Sequence, residues 1–299
     1  MKTINIKKLF AIALISLPVS LFAQDATEAV LGPEVVKATF ENGFHINNQT
    51  TQTIDKGYVD FIIQHRFGVI DKPKDLYGIY APSNVRLFIG YGITQRLSVG
   101  FSPTKNKQLY DFSAKYKALR QMTSGMPVTV TLYGNACIKG GDQKFFKSGA
   151  KAEYTFGNRM SYFGELMVSR KFNGKFSAQL GFNYAHYSLV DSSVSADISD
   201  YLGISALAKY KFSPQGSILL EFDQPLNVSN IPVGKKPLPN LGIGVEFSTG
   251  YHQFQVFICN SSGLLDQESK FFNFYELGKF DTPNYLIGFN FTRQFGFGE

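Results

Sequence analysis

Three of the four histidines could bind a metal ion or a haem if the fold brought them together. His65, His186 and His252 each lie within or beside a segment in which polar and apolar residues alternate. Each falls near the end of its segment on the apolar side, and the positions of the turns place His186 and His252 at opposite ends of the sheet. The sequence therefore favours amphipathic interfacial histidines over a metal site, and we expect no metal ion and no cofactor.

Nucleophilic catalysis is a second alternative. Ser188 follows His186 by two residues, and a membrane lipase would need a serine, a histidine and a polar orienting group side by side. No Gly-x-Ser-x-Gly elbow occurs in the chain. Two Gly-x-Gly fragments, at 90–92 and 242–244, lie in alternating segments with no helix after them, which argues against dinucleotide binding. We therefore expect no catalytic residue and no enzymatic activity.

A larger set of polar and charged residues lies on the other side of the same alternation. If the segments close into a barrel, this side faces the lumen, where charges of both signs would hold water in a pore or be joined by salt bridges. A barrel of 12 to 14 strands is too wide for side chains alone to fill, so solvent, a plug or a ligand must occupy it. The candidate lumen-lining residues are Asp60, Gln64, Arg66, Arg86, Arg96, Lys115, Lys117, Glu153, Glu165, Lys209, Glu221 and Glu246.

The elements that would position these residues are β-strands. In 128–136 and again in 285–297, apolar residues alternate with polar or small ones, although Arg293 interrupts the apolar side of the second segment. This period of two is typical of the strands of about 10 residues in membrane barrels. The composition agrees, because 15% of the residues are aromatic, only 18% are charged and there are two cysteines. These values argue against a disordered chain and a disulfide-rich scaffold.

A soluble β-sandwich would also alternate, so three further features decide. No amphipathic helix is available to cover a sheet, and no apolar run of about 18 residues could form a spanning helix. Aromatic residues cluster at the ends of the segments, where the interfacial girdles of membrane barrels lie. They are Tyr91, Phe101, Phe156, Phe212, Phe222 and Phe247. We predict an all-β fold, an antiparallel transmembrane up-and-down barrel of 12 to 14 strands.

Thirteen segments alternate clearly, although bacterial single-chain barrels have an even number of strands. They are 57–68, 84–92, 95–103, 108–118, 126–138, 147–156, 161–171, 175–186, 199–212, 215–224, 240–248, 251–260 and 283–297. Either a further strand lies in 35–46 or 271–277, or two of these segments are one. In the second half, short turns alternate with long loops, which predicts periplasmic turns and external loops. In the first half, the loop at 69–83 and the turn at 157–161 give conflicting directions.

The N-terminal region has the layout of a secretory signal peptide. Lys2, Lys7 and Lys8 precede an apolar stretch at 9–21, and a cleavage site would follow Ala23. Cleavage there would remove three lysines and no acid, which lowers the formal charge from +7 to +4. That charge is too small to indicate a nucleic-acid partner. We predict a signal peptide at 1–23, an N-terminal extension or partial plug at 24–56, which is rich in Asn, Gln and Thr, and the barrel at 57–299.

Several stretches resemble a known family. In order and spacing they are similar to an uncharacterised family of Bacteroidetes outer-membrane β-barrel proteins, a domain of unknown function. The stretches are IQHRFG at 63–68, PSNVRL at 82–87, YGITQRL at 91–97, SRKF at 169–172 and TGYHQFQ at 249–255. The resemblance covers about 35–297. It implies the fold and an outer-membrane location, and it implies no substrate, cofactor or catalytic residue.

These observations favour one function and leave another open. We expect a porin-like passive channel, or a binding barrel, for a small unidentified solute that uses the polar lumen. The alternative is a structural or interaction barrel that displays long external loops and transports nothing. The expected location is the outer membrane of a Gram-negative bacterium. The expected partners are outer-membrane lipid and the barrel-insertion machinery, since the last strand resembles a barrel-insertion signal.

Overall fold

The computed structural model describes residues 33–70, 73–141, 155–189, 199–226, 228, 231, 236–273, 275 and 284–296. The predicted signal peptide lies outside these residues, as do Glu153 and most of the predicted strand at 147–156.

Twelve antiparallel strands close into a barrel, which confirms the predicted fold class. They are β3 (Tyr58–Val69), β4 (Asn84–Gly92), β5 (Leu97–Thr104), β6 (Leu109–Leu119), β7 (Thr129–Lys139), β8 (Met160–Lys171), β9 (Phe176–Tyr187), β10 (Asp200–Lys211), β11 (Gly216–Pro225), β12 (Asn240–Thr249), β13 (His252–Cys259) and β14 (Leu286–Gly296). Each strand pairs with its neighbour in sequence, and β14 pairs with β3 to close the sheet.

The alternation in sequence becomes an alternation between two environments. Phe112 and Phe182 point outward and are 55% and 59% exposed, whereas the inward-facing Asp111 and Gln179 are 0% and 2% exposed. Successive side chains of a strand point to opposite faces, so a single register puts most apolar residues of a strand on the same side. The outer surface is therefore a band of exposed aliphatic and aromatic side chains, and the inner surface is mainly polar, with apolar exceptions such as Phe88.

The twelve strands also correct one predicted segment. In 147–156, the described part is not a strand, because Phe156 begins a single 3-10 turn, Phe156–Arg159, that leads directly into β8. Removing this segment gives an even number and resolves the conflict in the first half. The connections at 70–83 and 140–159 then lie at the same end of the barrel, together with those at 188–199, 226–239 and 260–285. We call this the long-loop end, and the opposite end the short-turn end.

Two segments lie inside the barrel. The first, residues 39–54, is called the inner segment. It contains the short strands β1 (Phe44–His45) and β2 (Asn48–Gln49), which form a hairpin, and most of its side chains are buried against the wall. The second is the six-residue helix α1 (Asp266–Phe271), which belongs to the connection between β13 and β14 and has five buried side chains. No helix of the described residues is long and apolar enough to cross a membrane.

The inner segment enters the lumen from the short-turn end. Val35 forms an isolated antiparallel bridge with Met122, in the connection between β6 and β7. At the tip of the hairpin, Ile46 has φ = 55°. This left-handed conformation is a genuine outlier for a β-branched residue and costs roughly 1–3 kcal/mol, so the surrounding contacts must hold it. Its fully buried side chain packs with Leu219 and Phe257.

Candidate functional site

The lumen is the site to which the sequence points, and the structure places the twelve candidates in three groups. Lys117 is half-buried near the short-turn end, and Arg96 lies exposed in the turn between β4 and β5, where it donates to the carbonyl of Ala118. Glu153 lies outside the described residues. The other nine face inward and are buried: Asp60, Gln64, Arg66, Arg86, Lys115, Glu165, Lys209, Glu221 and Glu246.

Cations predominate on one side of the lumen, along β3, β4 and β6. Arg86 forms an ion pair with Asp111 at 2.8 Å, and both side chains are buried. Arg66 instead donates to the side-chain oxygen of Asn47 (Nε to Oδ1, 3.0 Å), and its guanidinium lies 4.4 Å from the centre of the Phe257 ring. The cations on this side are therefore bound by a wall carboxylate, by an oxygen of the inner segment and by an aromatic face.

Carboxylates predominate on the other side, along β8, β11 and β12. Glu221 accepts hydrogen bonds from the backbone N–H of Asn47 at 3.0 Å and from the side-chain amides of Asn47 and Asn48, at 2.5 and 3.0 Å. Asp223 accepts from Lys270 of α1 at 3.0 Å. Burial of such carboxylates is unfavourable unless donors surround them, and here the donors come from both interior segments.

Helix α1 and the inner segment also contact each other. The carboxylate of Asp266 accepts from the side-chain amide of Gln49 at 3.2 and 3.3 Å, and from the hydroxyl of Tyr133 at 3.0 Å. Burial raises the pKa of Asp266, and the nearby cations Arg86 and Lys270 oppose that rise only in part. Burial would lower the pKa of Lys270, but the surrounding carboxylates outweigh it, and the pKa is raised.

A second group of charges lies where the inner segment enters the lumen. Lys209 forms a buried ion pair with Glu246 at 2.6 Å, and Lys211 forms a partly exposed ion pair with Glu41 of the inner segment at 2.6 Å. Burial raises the pKa of Glu41, but Lys209 and Lys211 outweigh it, so that the pKa lies below its usual value. Glu41 is therefore held as a carboxylate at this entrance.

The described residues line one small cavity within the lumen and larger ones at its two ends. The cavity beside Phe44 and Lys115 has a volume of about 20 Å3, which is room for about one water molecule. Larger cavities lie at the two ends. One of about 540 Å3 lies at the long-loop end, beside Asn84 and Ser262, and one of about 190 Å3 lies at the short-turn end, beside Lys117 and Arg120.

The three histidines that could have formed a metal site lie apart, in three different surroundings. His65 stacks on Phe289 at 5.1 Å between ring centres. His186 contacts Asp200, with 2.9 Å between Nδ1 and Oδ1, and His252 contacts Arg293. The described residues contain no group of three or more histidine, cysteine or acidic side chains that could hold a metal ion.

Sequence reasoning overlooked several residues that join the wall to the interior segments. Asp223 lies two residues after Glu221 on the same polar side, so the alternation could have identified it. Gln179 and Gln255 also lie on that side and bind the backbone of the inner segment, but neutral side chains gave no charge signal. Asp266 and Lys270 lie in a connection that its length predicts to be an external loop. No sequence pattern indicates that this connection folds into the lumen.

A comparison with protein families shows to which family this chain belongs. Residues 40–295 match the membrane-bound beta barrel domain family DUF5777. The chain belongs to this family. The match covers all twelve barrel strands and nearly all of the inner segment, so the membrane-bound barrel family includes both the wall and its contents. Comparison with curated proteins gives no match.

A comparison with solved structures gives distant similarities. The KdgM porin in complex with disordered oligogalacturonate is 9% identical, with a TM-score of 0.45, and the alignment covers 81% of this chain and 99% of that one. An outer membrane channel from Pseudomonas putida F1 is 12% identical, with a TM-score of 0.48 and coverage of 82% and 98%. The CymD monoaromatic hydrocarbon channel is 10% identical, with a TM-score of 0.39 and coverage of 82% and 90%. Similarities this low carry no conclusion about what this chain binds.

Proposed function

We propose that this protein is an outer-membrane channel that admits a small polar solute through its charge-lined lumen, and that the inner segment and helix α1 close the lumen in the state described above. The signal peptide at 1–23, the Gram-negative outer membrane, the bacterial group Bacteroidetes and the insertion machinery are parts of the same proposal. The inner segment acts in it as a plug, and the protein has no enzymatic role.

The observation that carries this proposal is the chemistry of the contact between plug and wall. Polar side chains of the wall bind the inner segment from several strands, as Glu221, Gln179 and Lys115 illustrate. A hydrogen bond between neutral groups contributes about 0.5–1.5 kcal/mol net and one to a charged group about 1.5–3 kcal/mol, because water can replace either partner. An interior of this kind can be opened to water at small cost per contact, whereas an apolar core cannot.

The filled interior also favours a second candidate, the structural barrel that displays its loops. Phe44 and Ile54 of the inner segment pack with Ile62 and Phe88 of the wall, which adds apolar contacts to the polar ones. If these contacts outweigh the replaceable ones, the lumen never opens. The two candidates therefore differ in one measurable property, which is whether the inner segment leaves the lumen.

A reversible cross-link between plug and wall would separate them. The hydroxyls of Thr51 and Ser169 lie 2.5 Å apart. The double variant Thr51→Cys/Ser169→Cys would place two thiols at this contact, and a disulfide would fix the plug to β8. In planar bilayers, we expect the unmodified chain to conduct, the oxidised variant to be silent, and reductant to restore conductance.

The matched control keeps the cysteine on β8 and moves its partner to the wall. Ser169 pairs with Thr129 across β7 and β8, so the double variant Ser169→Cys/Thr129→Cys cross-links two wall strands and leaves the plug untethered. We expect this variant to respond to oxidant and reductant without losing conductance. An unmodified chain that is silent under all conditions would support the structural barrel instead.

A further inference from the structure

The wall of the lumen binds the main chain of the inner segment. Nine backbone atoms between Gly43 and Gln52 are bonded to wall side chains. They are the carbonyl oxygens of Gly43, Phe44, Ile46, Gln49, Thr51 and Gln52 and the N–H groups of Ile46, Asn47 and Thr51. Buried backbone groups need hydrogen-bond partners, and here wall side chains supply them at all nine atoms. The lumen is therefore lined with groups that bind the main chain of a peptide hairpin.

Two glutamines recognise the backbone in the same way. The side-chain amide of Gln255 donates to the carbonyl of Phe44 at 3.1 Å and accepts from the N–H of Ile46 at 3.3 Å. That of Gln179 donates to the carbonyl of Gln49 at 2.8 Å and accepts from the N–H of Thr51 at 2.9 Å. Each glutamine thus binds the carbonyl of residue n and the N–H of residue n+2.

In a parallel sheet, one residue likewise binds the carbonyl of residue n and the N–H of residue n+2 of the neighbouring strand. Each glutamine side chain therefore makes the hydrogen bonds that a residue of a parallel strand would make. Neighbouring wall groups fix the orientation of the Gln255 amide. Asn290 donates to its oxygen at 2.8 Å, and the carboxylate of Glu246, which can only accept, receives its N–H at 2.8 Å. Carbohydrates and aliphatic solutes lack the alternating carbonyl and N–H groups that these two positions require.

Side-chain contacts add a preference for amides at the centre of the peptide. The amide of Asn47 donates to Glu221 and its oxygen accepts from Arg66, while the amide of Asn48 donates to Glu221 and Asp223. Each amide side chain combines a donor with an acceptor, and here the donors meet carboxylates while the oxygen of Asn47 meets a cation.

We propose that the lumen is a binding site for a peptide hairpin of about ten residues with amide side chains near its tip, and that residues 43–52 occupy this site as an internal ligand. The claim that such a peptide is the transported solute rests on the proposed channel function. The claim that the lumen binds such a peptide rests only on the contacts between the wall and the inner segment. A peptide that displaces the inner segment gains the same wall groups that the segment gives up.

The test uses a full-length chain in which the internal ligand is weakened. Proline cannot adopt the φ of Ile46 and has no N–H for Gln255, so Ile46→Pro loosens the inner segment without altering a wall strand. The probe is a fluorescent synthetic peptide with the sequence of residues 42–53, and its anisotropy reports binding to the detergent-solubilised barrel. We expect saturable binding to Ile46→Pro and much weaker binding to the unmodified chain.

Backbone methylation of the probe tests recognition of the main chain. N-methylation at the positions of Ile46 and Thr51 removes the two N–H groups that donate to the side-chain oxygens of Gln255 and Gln179. We expect binding of the peptide to weaken by roughly tenfold or more. N-methylation at the position of Gln52 is the control, because its N–H bonds to Thr50 within the peptide. On the wall, Gln255→Met should weaken binding, whereas Gln253→Met, whose amide bonds to Ser248 on the neighbouring strand β12, should not.

Each outcome has a definite meaning. A folded Ile46→Pro barrel without saturable binding, or equal binding of the two methylated probes, would overturn the peptide site. If Ile46→Pro fails to fold, Asn47→Ala serves instead, since it removes the contacts of the inner segment with Glu221 and Arg66 and leaves every wall side chain in place. Peptide binding without conductance would overturn the channel and leave the binding site standing. Conductance without peptide binding would do the reverse.

Discussion

The ammonium group of Lys270 in helix α1 lies 3.0 Å from the carboxylate of Asp223 on strand β11, and both side chains are 1% exposed. Asn48 of the inner segment accepts from the same ammonium group. One buried cation thus joins the long-loop connection, the barrel wall and the plug. This arrangement predicts that the two interior segments leave the lumen together.

The variant Lys270→Met tests this coupling. Removing the cation leaves Asp223 buried without its charged partner, which costs roughly 3–5 kcal/mol. We expect both α1 and the inner segment to become accessible to protease, while the wall remains resistant. The double variant Lys270→Met/Asp223→Leu removes both charges and should recover most of the protection. If Lys270→Met exposes α1 alone, the two segments are independent.

Closure should also depend on pH through His45. In the lumen the imidazole of His45 is neutral, because burial lowers its pKa to about 3. The hydrogen bond to the carbonyl of Leu220 opposes this lowering, and the charge of Lys209 adds to it. In a displaced segment, the pKa returns to about 6.5. Protonation therefore favours the displaced form below about pH 6.5, by roughly tenfold for each pH unit down to the lower value.

Other groups modify this dependence. Glu41 has a lowered pKa, so its contribution to closure is also lost in acid, but only below the pKa of about 4.5 that it has when displaced. Asp266 has a raised pKa and acts in the opposite direction. His45 should raise the open fraction in bilayers between pH 7.5 and 5.5, and its share is the difference between the unmodified chain and a variant without the imidazole. His45→Gln keeps a hydrogen-bond donor for Leu220 without titrating, and an unchanged acid response in this variant would exclude His45 as the cause.

Two of the candidate cations should behave differently when neutralised. Lys115→Met removes hydrogen bonds to the carbonyls of Gly43 and Gln52 and should loosen the inner segment by about 1–3 kcal/mol. Arg96→Met removes an exposed side chain in a turn and should leave closure unchanged. Hydrogen exchange of residues 43–52 would measure the difference. Equal protection in the two variants would remove Lys115 from the closing contacts.

The sequence predicted the wall better than its contents for a physical reason. A strand between lipid and a polar lumen repeats every two residues, so β7 and β14 could be located from parity alone. Parity also assigned Arg66 and Glu221 to the inner face. It could not show that α1 folds inward, because that placement depends on single long-range contacts such as Lys270 with Asp223. The predicted strand at 147–156 lies mostly outside the described residues, and β7 pairs directly with β8 without it.

The outer band gives a prediction about the membrane. Phe182 lies near the middle of β9 on the outer face and is 59% exposed. Phe182→Arg should destabilise the barrel in lipid by roughly 2–4 kcal/mol, the cost of an arginine near the bilayer midplane. Phe156, which is 66% exposed at the long-loop end, is the matched position, and Phe156→Arg should cost about 1 kcal/mol or less. Equal effects on urea-induced unfolding from vesicles would contradict the assignment of this face to lipid.

The most direct test of the account is the single-channel conductance of Ile46→Pro compared with Ile46→Val. The valine variant retains a β-branched residue and the N–H for Gln255, whereas proline retains neither the backbone conformation nor the donor. If a displaceable inner segment closes the lumen, Ile46→Pro will show frequent, long openings and Ile46→Val will resemble the unmodified chain. Folded, membrane-inserted Ile46→Pro that remains silent at every voltage would contradict it.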